Sequence, residues 1–207
     1  EINAWNHPVP PIVDADALVV LGGSMSCQDD AEAPWLAPTR QLISRTVRAG
    51  TPFLGICLGH QLATVALGGQ VCTSDHFCLG AAEMHLTPEG KKDPLLSVYD
   101  GHRGIHFNND VAVVLPEDAV LLARDPTGQI EAVRFAERAW GVQFHPECTP
   151  EIFDAWTIGH GEKEWQQRLP WSEAVTVAET VRRDIDTVNA EEAFAARFQE
   201  LIDPEKR

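Results

Sequence analysis

TPFLGICLGHQLATVALGG, residues 51–69, contains the clearest structural pattern in the chain. Its first part, TPFLGI, is a short continuous apolar run, which is typical of a strand buried on both faces of a parallel sheet. The following HQLATVAL has helical character, and Gly68 and Gly69 provide its end. The segment therefore predicts a strand that passes directly into a helix, with Cys57 at the junction.

The same order of elements occurs once before this segment. ALVVL (17–21) is another buried-strand pattern, and apolar residues recur at helical spacing over about 35–47. Such alternation predicts an α/β fold with a mostly parallel central sheet flanked by helices. Further along the chain, short strand-like runs separated by turn residues predict a smaller antiparallel section. We expect a catalytic domain over residues 1–152 and a helical C-terminal extension packed on it over residues 153–207.

Cys57 has the features of a catalytic nucleophile. Gly55 and Gly59 flank it at positions −2 and +2, as in the G-x-S-x-G turn that carries the serine of many hydrolases. This turn is sharp and strained, so side chains at the flanking positions would collide with neighbouring backbone. It also places the sulfur at the N-terminus of a helix, whose partial positive charge stabilises a thiolate. The alternative is a buried cysteine in an ordinary strand–helix turn.

GVQFHPE, residues 141–147, supplies a candidate base. The strand pattern AWGVQF ends at His145, and Pro146 favours extended backbone at its neighbour. Because side chains alternate along an extended chain, His145 and Glu147 are expected to point to the same side. Glu147 can then bind one imidazole nitrogen while the other faces a thiol, which predicts a Cys57–His145–Glu147 triad. Taken alone, His-Pro-Glu is equally compatible with a surface turn.

Acyl transfer through a thiol also needs hydrogen-bond donors for the oxyanion that forms. Gly22 and Gly23 directly follow the predicted strand ALVVL, at the carboxyl edge of a parallel sheet, where the Cys57 turn is also expected. The backbone N–H groups of Gly23 and Leu58 could converge there as an oxyanion hole. The alternative is that the two glycines only make a tight turn.

These three segments together resemble class I glutamine amidotransferases. WLAP (35–38), LTPEG (86–90) and HPECTPE (145–151) are similar to stand-alone proteins related to the glutaminase domain of GMP synthase. The resemblance covers about residues 16–152 and implies a flavodoxin-like fold. It also implies a reaction in which Cys57 attacks the side-chain amide of glutamine, ammonia leaves, and the resulting glutamyl thioester is hydrolysed to glutamate.

The same resemblance implies a substrate pocket that includes Gly22, Gln61, Asn108, Asn109 and Asp110. Gln61 matches the family residue that contacts bound glutamine. Where close relatives carry a His-Gly-Asp run, this chain has Asn108-Asn109-Asp110 and retains only the aspartate. Recognition of the backbone end of glutamine is therefore expected to differ, which admits another γ-glutamyl compound as substrate. Relatives also begin with a strand and a helix ahead of the point where this chain starts, and we expect those elements to be missing here.

Composition restricts the partners. With 31 Asp+Glu against 16 Lys+Arg, the formal charge of −15 disfavours binding to nucleic acid and to anionic membranes.

Five cysteines without CxxC spacing favour reduced thiols and a cytoplasmic location. His102 and His106 lack the spacing of a zinc site, and we expect neither a metal nor a cofactor. Since no SGGxDS or GxxxxGK[ST] motif is present, any ammonia would pass to a separate synthetase partner.

Two other functions remain open from the sequence. A γ-glutamyl peptidase or hydrolase would use the same triad on a conjugate and need no ammonia acceptor. A catalytically weak regulatory subunit would use the pocket to sense a ligand. The complete set of triad residues argues against the second, whereas the Asn108-Asn109 change keeps the first open.

Overall fold

The computed structural model of the protein describes residues 1–157, 171–185 and 190–203. The remaining parts of the predicted C-terminal extension, 158–170, 186–189 and 204–207, lie outside the described residues. The strands are β1 (Leu18–Val20), β2 (Phe53–Ile56), β3 (Gln70–Glu83), β4 (His85–Leu86), β5 (Arg103–Val114), β6 (Val120–Arg124), β7 (Ile130–Ala136) and β8 (Ala139–Val142). The helices are α1 (Leu36–Arg48), α2 (Leu58–Ala66), α3 (Pro150–Thr157), α4 (Trp171–Ile185) and α5 (Glu191–Ile202), with 3₁₀ turns at Gly90–Lys92 and Leu96–Tyr99.

The central sheet has six strands in the order β1-β2-β8-β7-β6-β4. β1, β2 and β8 are parallel neighbours, and the pairings from β8 to β4 are antiparallel. All four residues of β2 are buried, as the continuous apolar run predicts for a strand covered on both faces. The predicted α/β class is confirmed, but the central sheet is mixed rather than mostly parallel, since three of its five strand pairings are antiparallel.

A second, two-stranded sheet pairs the long strands β3 and β5 in antiparallel register. Irregular pairing between Thr73 and Cys78 separates two regular stretches of this ladder. Asp110 lies opposite Thr73, so the polar run on β5 faces the start of β3. This pairing brings the middle of β5 to the edge of the site described below.

The core consists of buried clusters on the two faces of the central sheet. One cluster contains Trp140, Phe144 and Phe194, and the other contains Phe53 and Leu62. A smaller cluster joins Ile105 to Phe153 of α3 and Val181 of α4. The described parts of α4 and α5 thus bury apolar side chains against the rest of the chain. Among the described residues, no helix is both long enough and apolar enough to cross a membrane.

Candidate active site

Cys57 occupies a strained turn between β2 and α2. Its backbone has φ 50° and ψ −106°. Within the described part of the chain, it is the only non-glycine residue with a positive φ. A Cβ at Gly55 would lie 2.6 Å from the Gly59 carbonyl, and one at Gly59 would lie 2.0 Å from the Val20 carbonyl oxygen. Both flanking positions therefore require glycine, for the reason that the sequence pattern suggested.

Strand topology brings the three predicted segments to one place. β1, β2 and β8 are adjacent and parallel, and Gly22, Cys57 and His145 follow their carboxyl ends. The Cys57 N–H donates to the carbonyl of Val142 over 2.8 Å, and the His145 N–H donates to the carbonyl of Ile105 over 2.8 Å. These bonds hold the two segments at fixed positions at the end of the sheet.

His145 and Glu147 form the contact expected from alternation along the chain. His145 Nδ1 lies 2.8 Å from Glu147 Oε1, and the imidazole is 5% exposed. A Cβ on Gly22 would lie 3.0 Å from His145 Cε1 and 3.5 Å from Cys57 Cβ, so Gly22 borders both residues. Burial alone would lower the pKa of His145, but the negative charges of Cys57 and Glu147 outweigh it and raise the pKa to about 10. The arrangement thus favours a protonated imidazole beside the sulfur.

Gly23 and Leu58, the predicted oxyanion-hole residues, are neighbours. A Cβ on Gly23 would lie 2.8 Å from Leu58 Cδ2. Leu58 is the first residue of α2, and the first backbone bond of this helix runs from the Gln61 N–H to the Cys57 carbonyl. The Leu58 N–H therefore has no acceptor within the helix. Its use for an oxyanion remains a prediction.

A cavity of about 290 Å³ opens at Cys57. It contains four of the five residues that the family resemblance predicted for substrate binding, all except Gly22. Its lining residues are Gly23, Ser24, Met25, Ser26, Asp29, Cys57, Gln61, Thr73, Phe107, Asn108, Asn109, Asp110 and Trp156. The structure therefore places the candidate nucleophile and the Asn108–Asp110 run on the walls of one cavity.

Neutral donors hold the Asp110 side chain in the cavity wall. Ser26 Oγ donates to one carboxylate oxygen over 2.5 Å, and Thr73 Oγ1 donates to the other over 2.9 Å. Gln61 Nε2 donates to the Asp110 carbonyl over 2.8 Å. Asn108 is 5% exposed, and its Oδ1 is buried without a hydrogen-bond partner. The carboxylates of Asp29 and Asp110 make this part of the cavity wall rich in acceptors.

Trp156, another residue that lines the cavity, was not identified from the sequence. Its ring centroid lies 4.5 Å from that of His145 and 5.9 Å from that of Phe107. Only its place in the chain could have indicated Trp156, because α3 begins five residues after His145 and its first turns must lie near the site. Ser26 had a similar signal, three residues after Gly23, whereas nothing in the sequence around Thr73 pointed to the site.

Two buried histidines outside the predicted triad, His60 and His106, contact residues of the core. His60 is fully buried, stacks on Phe135, and burial lowers its pKa to about 4. His106 Nε2 lies 2.7 Å from Glu131 Oε2, and this carboxylate outweighs burial and raises the pKa of His106. Within the described residues, no group of three or more His, Cys, Asp or Glu side chains is arranged to hold a metal ion.

The two cysteines nearest the motifs differ from Cys57 in environment. Burial is the main reason that the pKa of Cys27 rises to about 11 and that of Cys148 to about 12. Both therefore remain protonated thiols at neutral pH. None of the five cysteines, all of which lie within the described residues, forms a disulfide bond.

Comparison with known proteins identifies relatives of the chain. The family model described as Glutamine amidotransferase class-I matches residues 1–159. A glutamine amidotransferase-like protein, YfeJ, of Salmonella typhimurium is 32% identical over 161 residues, covering 75% of this chain and 66% of its own length. The glutamine-hydrolyzing GMP synthase of Tolumonas auensis is 29% identical over 214 residues, covering 94% of this chain. The chain spans only 38% of that second protein.

Solved structures share the fold. A glutamine amido transferase from Methylobacillus flagellatus superimposes with a TM-score of 0.77 at 24% sequence identity. The match covers 95% of this chain and 81% of the other. The fold expected from the family resemblance is therefore confirmed.

Proposed function

Because the chain belongs to the class I glutamine amidotransferase family, we propose that it hydrolyses a γ-glutamyl amide with Cys57 as nucleophile. The observation that carries the proposal is the position of Cys57. It occupies a strained strand–helix turn, lines the cavity, and borders a histidine whose other nitrogen lies 2.8 Å from a carboxylate. A nucleophile, a base and a residue that orients the base are the parts that acyl transfer requires.

In the first half-reaction the Cys57 sulfur attacks the amide carbon of the γ-glutamyl group. The S–C bond forms, and the carbonyl electrons move to oxygen, where the N–H groups of Gly23 and Leu58 are proposed to stabilise the oxyanion. His145 then gives its proton to the amide nitrogen, the C–N bond breaks, and the amine or ammonia leaves. The product on the enzyme is a glutamyl thioester.

In the second half-reaction a water molecule attacks the thioester. His145 Nε2 takes a proton from the water, the new O–C bond forms, and the S–C bond breaks to release glutamate. The proton returns to the Cys57–His145 pair. Glu147 is proposed to keep the imidazole in the required orientation through Nδ1 in both steps.

The acceptor-rich part of the cavity wall suits the amino-acid end of the substrate. An α-ammonium group carries three N–H donors, and the carboxylates of Asp29 and Asp110 are acceptors. We assign the substrate-binding role to Gln61 and to the Asn108–Asp110 run on this basis. Gly22 is proposed to leave open the space between Cys57 and His145, which a Cβ at this position would reduce.

The proposal also covers the location of the protein and its partner. The lack of disulfide bonds among the five cysteines, which are all described, supports a reducing, cytoplasmic environment. A separate synthetase that takes up released ammonia stays an expectation from the family. The proposed hydrolysis uses residues of this chain, and it can be tested on the purified protein.

The direct test is to incubate the protein with glutamine and with several γ-glutamyl amides and to follow glutamate release. We expect turnover of at least one of them and a glutamyl thioester on Cys57, detected by mass spectrometry of acid-quenched samples. Neither turnover nor thioester with any compound would overturn the hydrolase proposal and favour the ligand-sensing alternative.

The raised pKa of His145 predicts an unusual pH profile. The charged imidazolium stabilises the folded state. This stabilisation is fully present below the ordinary pKa of about 6.5, and it is lost as the group deprotonates while the pH rises through about 10. We expect the alkaline limb of kcat/KM near pH 10. Glu147→Gln removes one of the charges that raise this pKa, so the limb should move down by about one unit or more.

Measurement of kcat/KM from pH 6 to 11 checks this expectation. Glu117→Gln is the matched control, because Glu117 is exposed and lies outside the cavity-lining residues. An alkaline limb at the same pH in wild type and Glu147→Gln would contradict the role given to this carboxylate.

A further inference from the structure

The side of the cavity next to the proposed general acid is aromatic. His145 must lie beside the leaving nitrogen, because it gives that nitrogen its proton. The Trp156 ring is 4.5 Å from the His145 ring, and Phe107 is 5.9 Å from Trp156. Both aromatic residues line the cavity. Whatever is attached to the leaving nitrogen therefore meets an apolar wall.

The aromatic wall can distinguish leaving groups by their apolar surface. The cavity volume of about 290 Å³ lies close to the lower limit for ligand pockets, roughly 300 Å³, so it suits a ligand of modest size. An ammonia leaving group would bury none of the aromatic surface, whereas an amine with an apolar substituent would cover it.

Several polar groups of the cavity are joined by hydrogen bonds. Ser26 and Thr73 both donate to Asp110, and Ser26 N–H donates to Asp29, so these residues form one group. The cavity lining thus combines an acceptor-rich group, suited to the α-ammonium, with two aromatic residues, of which Trp156 lies beside His145. The amino-acid part of the substrate would contact the first set and the leaving amine the second.

We propose that the substrate is a γ-glutamyl amide whose leaving amine carries an aromatic or large apolar substituent, which packs against Trp156 and Phe107. This inference rests on the proposed hydrolase function and narrows it to one class of conjugate. The overall reaction takes one amide and one water and yields glutamate and the free amine. The C–N bond breaks, and no oxidant, nucleotide or metal is consumed.

Three substrates separate this proposal from simple glutaminase activity. Glutamine, γ-glutamyl-methylamide and γ-glutamyl-benzylamide differ only in the group on the leaving nitrogen. We expect kcat/KM for glutamate release to be about 10- to 100-fold higher with the benzylamide than with the methylamide, the range that corresponds to burying one aromatic ring. Equal values, or a preference for glutamine, would overturn the inference and leave the hydrolase function standing.

Variants of the aromatic wall test whether it binds substrate or only packs against the base. Trp156→Leu should reduce the benzylamide-to-methylamide ratio by at least about threefold. If Trp156 only orients His145, all three substrates lose the same factor and the ratio stays constant, which overturns the inference. Phe107→Leu is the second variant, should Trp156→Leu fold poorly, and it is expected to lower the same ratio.

Trp5→Leu is the matched control. Trp5 is 60% exposed, contacts Trp35, and lies outside the cavity-lining residues, so its replacement should leave the ratio unchanged. The absence of turnover and of a thioester with all three substrates would overturn the hydrolase proposal together with this inference. Turnover without benzylamide preference overturns the inference alone, so the two failures are distinguishable.

Discussion

Replacing Cys57 with alanine is expected to lower kcat/KM for glutamate release by at least about 10⁴-fold, because the variant has no atom that can form the thioester. His145 and Glu147 remain in place, but general acid–base groups without a nucleophile retain only a small part of the rate enhancement. The loss should fall mainly on kcat, since the cavity walls that bind substrate are unchanged.

Steady-state kinetics on the best γ-glutamyl amide gives the measurement, with the melting temperature as a check on folding. Alanine keeps the Cβ and the strained backbone, so the fold should survive the change. Cys72→Ala is the matched control, because Cys72 is an exposed free cysteine that does not line the cavity. Retention of more than a few per cent of activity in Cys57→Ala would rule out the proposed nucleophile.

Replacing Gly59 with alanine is expected to destabilise the protein by more than about 3 kcal/mol. The new Cβ would lie 2.0 Å from the Val20 carbonyl oxygen, and this neighbour is backbone of the central sheet that cannot rotate away. α2 must then shift away from β1, which also displaces Cys57. Since typical domains are stable by roughly 5–15 kcal/mol, the loss takes a large share of the total.

Urea denaturation provides the measurement, with Gly50→Ala as the comparison. Gly50 has φ 73°, but a Cβ there would meet nothing within 4 Å. Only the left-handed backbone penalises alanine at that position, by roughly 1–2 kcal/mol. If Gly59→Ala costs no more than Gly50→Ala, the close approach of α2 to β1 is not what requires glycine at the turn.

The sequence predicted the elements of the site that depend on short-range geometry. The glycines at 55 and 59 indicated the turn at Cys57, because the constraint acts within two residues. The contact between His145 and Glu147 followed from side-chain alternation over two residues, and it is present at 2.8 Å. The location of Gly22, Gly23 and Cys57 at one sheet edge followed from the expected parallel order of β1 and β2. The parallel pairing of β8 with β2, which brings His145 to the same edge, was not predicted.

The mixed character of the sheet was less accessible from the sequence. Short apolar runs after residue 70 indicated strands, but they carry no information about which partner each strand takes. β3 and β5 pair with each other and leave the central sheet, although they are separated by β4 and two 3₁₀ turns. This pairing is what places Thr73 and Asp110 together.

Local sequence determined the proposed catalytic groups of the site, whereas the shape of the cavity beside them depended on tertiary packing. A strained turn and a histidine–carboxylate contact each involve residues close in the chain, so steric and alternation rules act on them directly. Ser26 reaches Asp110 across 84 positions, and Trp156 meets Phe107 only because α3 packs beside β5. Such contacts arise from the way whole elements bury their apolar faces, and no short segment encodes that arrangement alone.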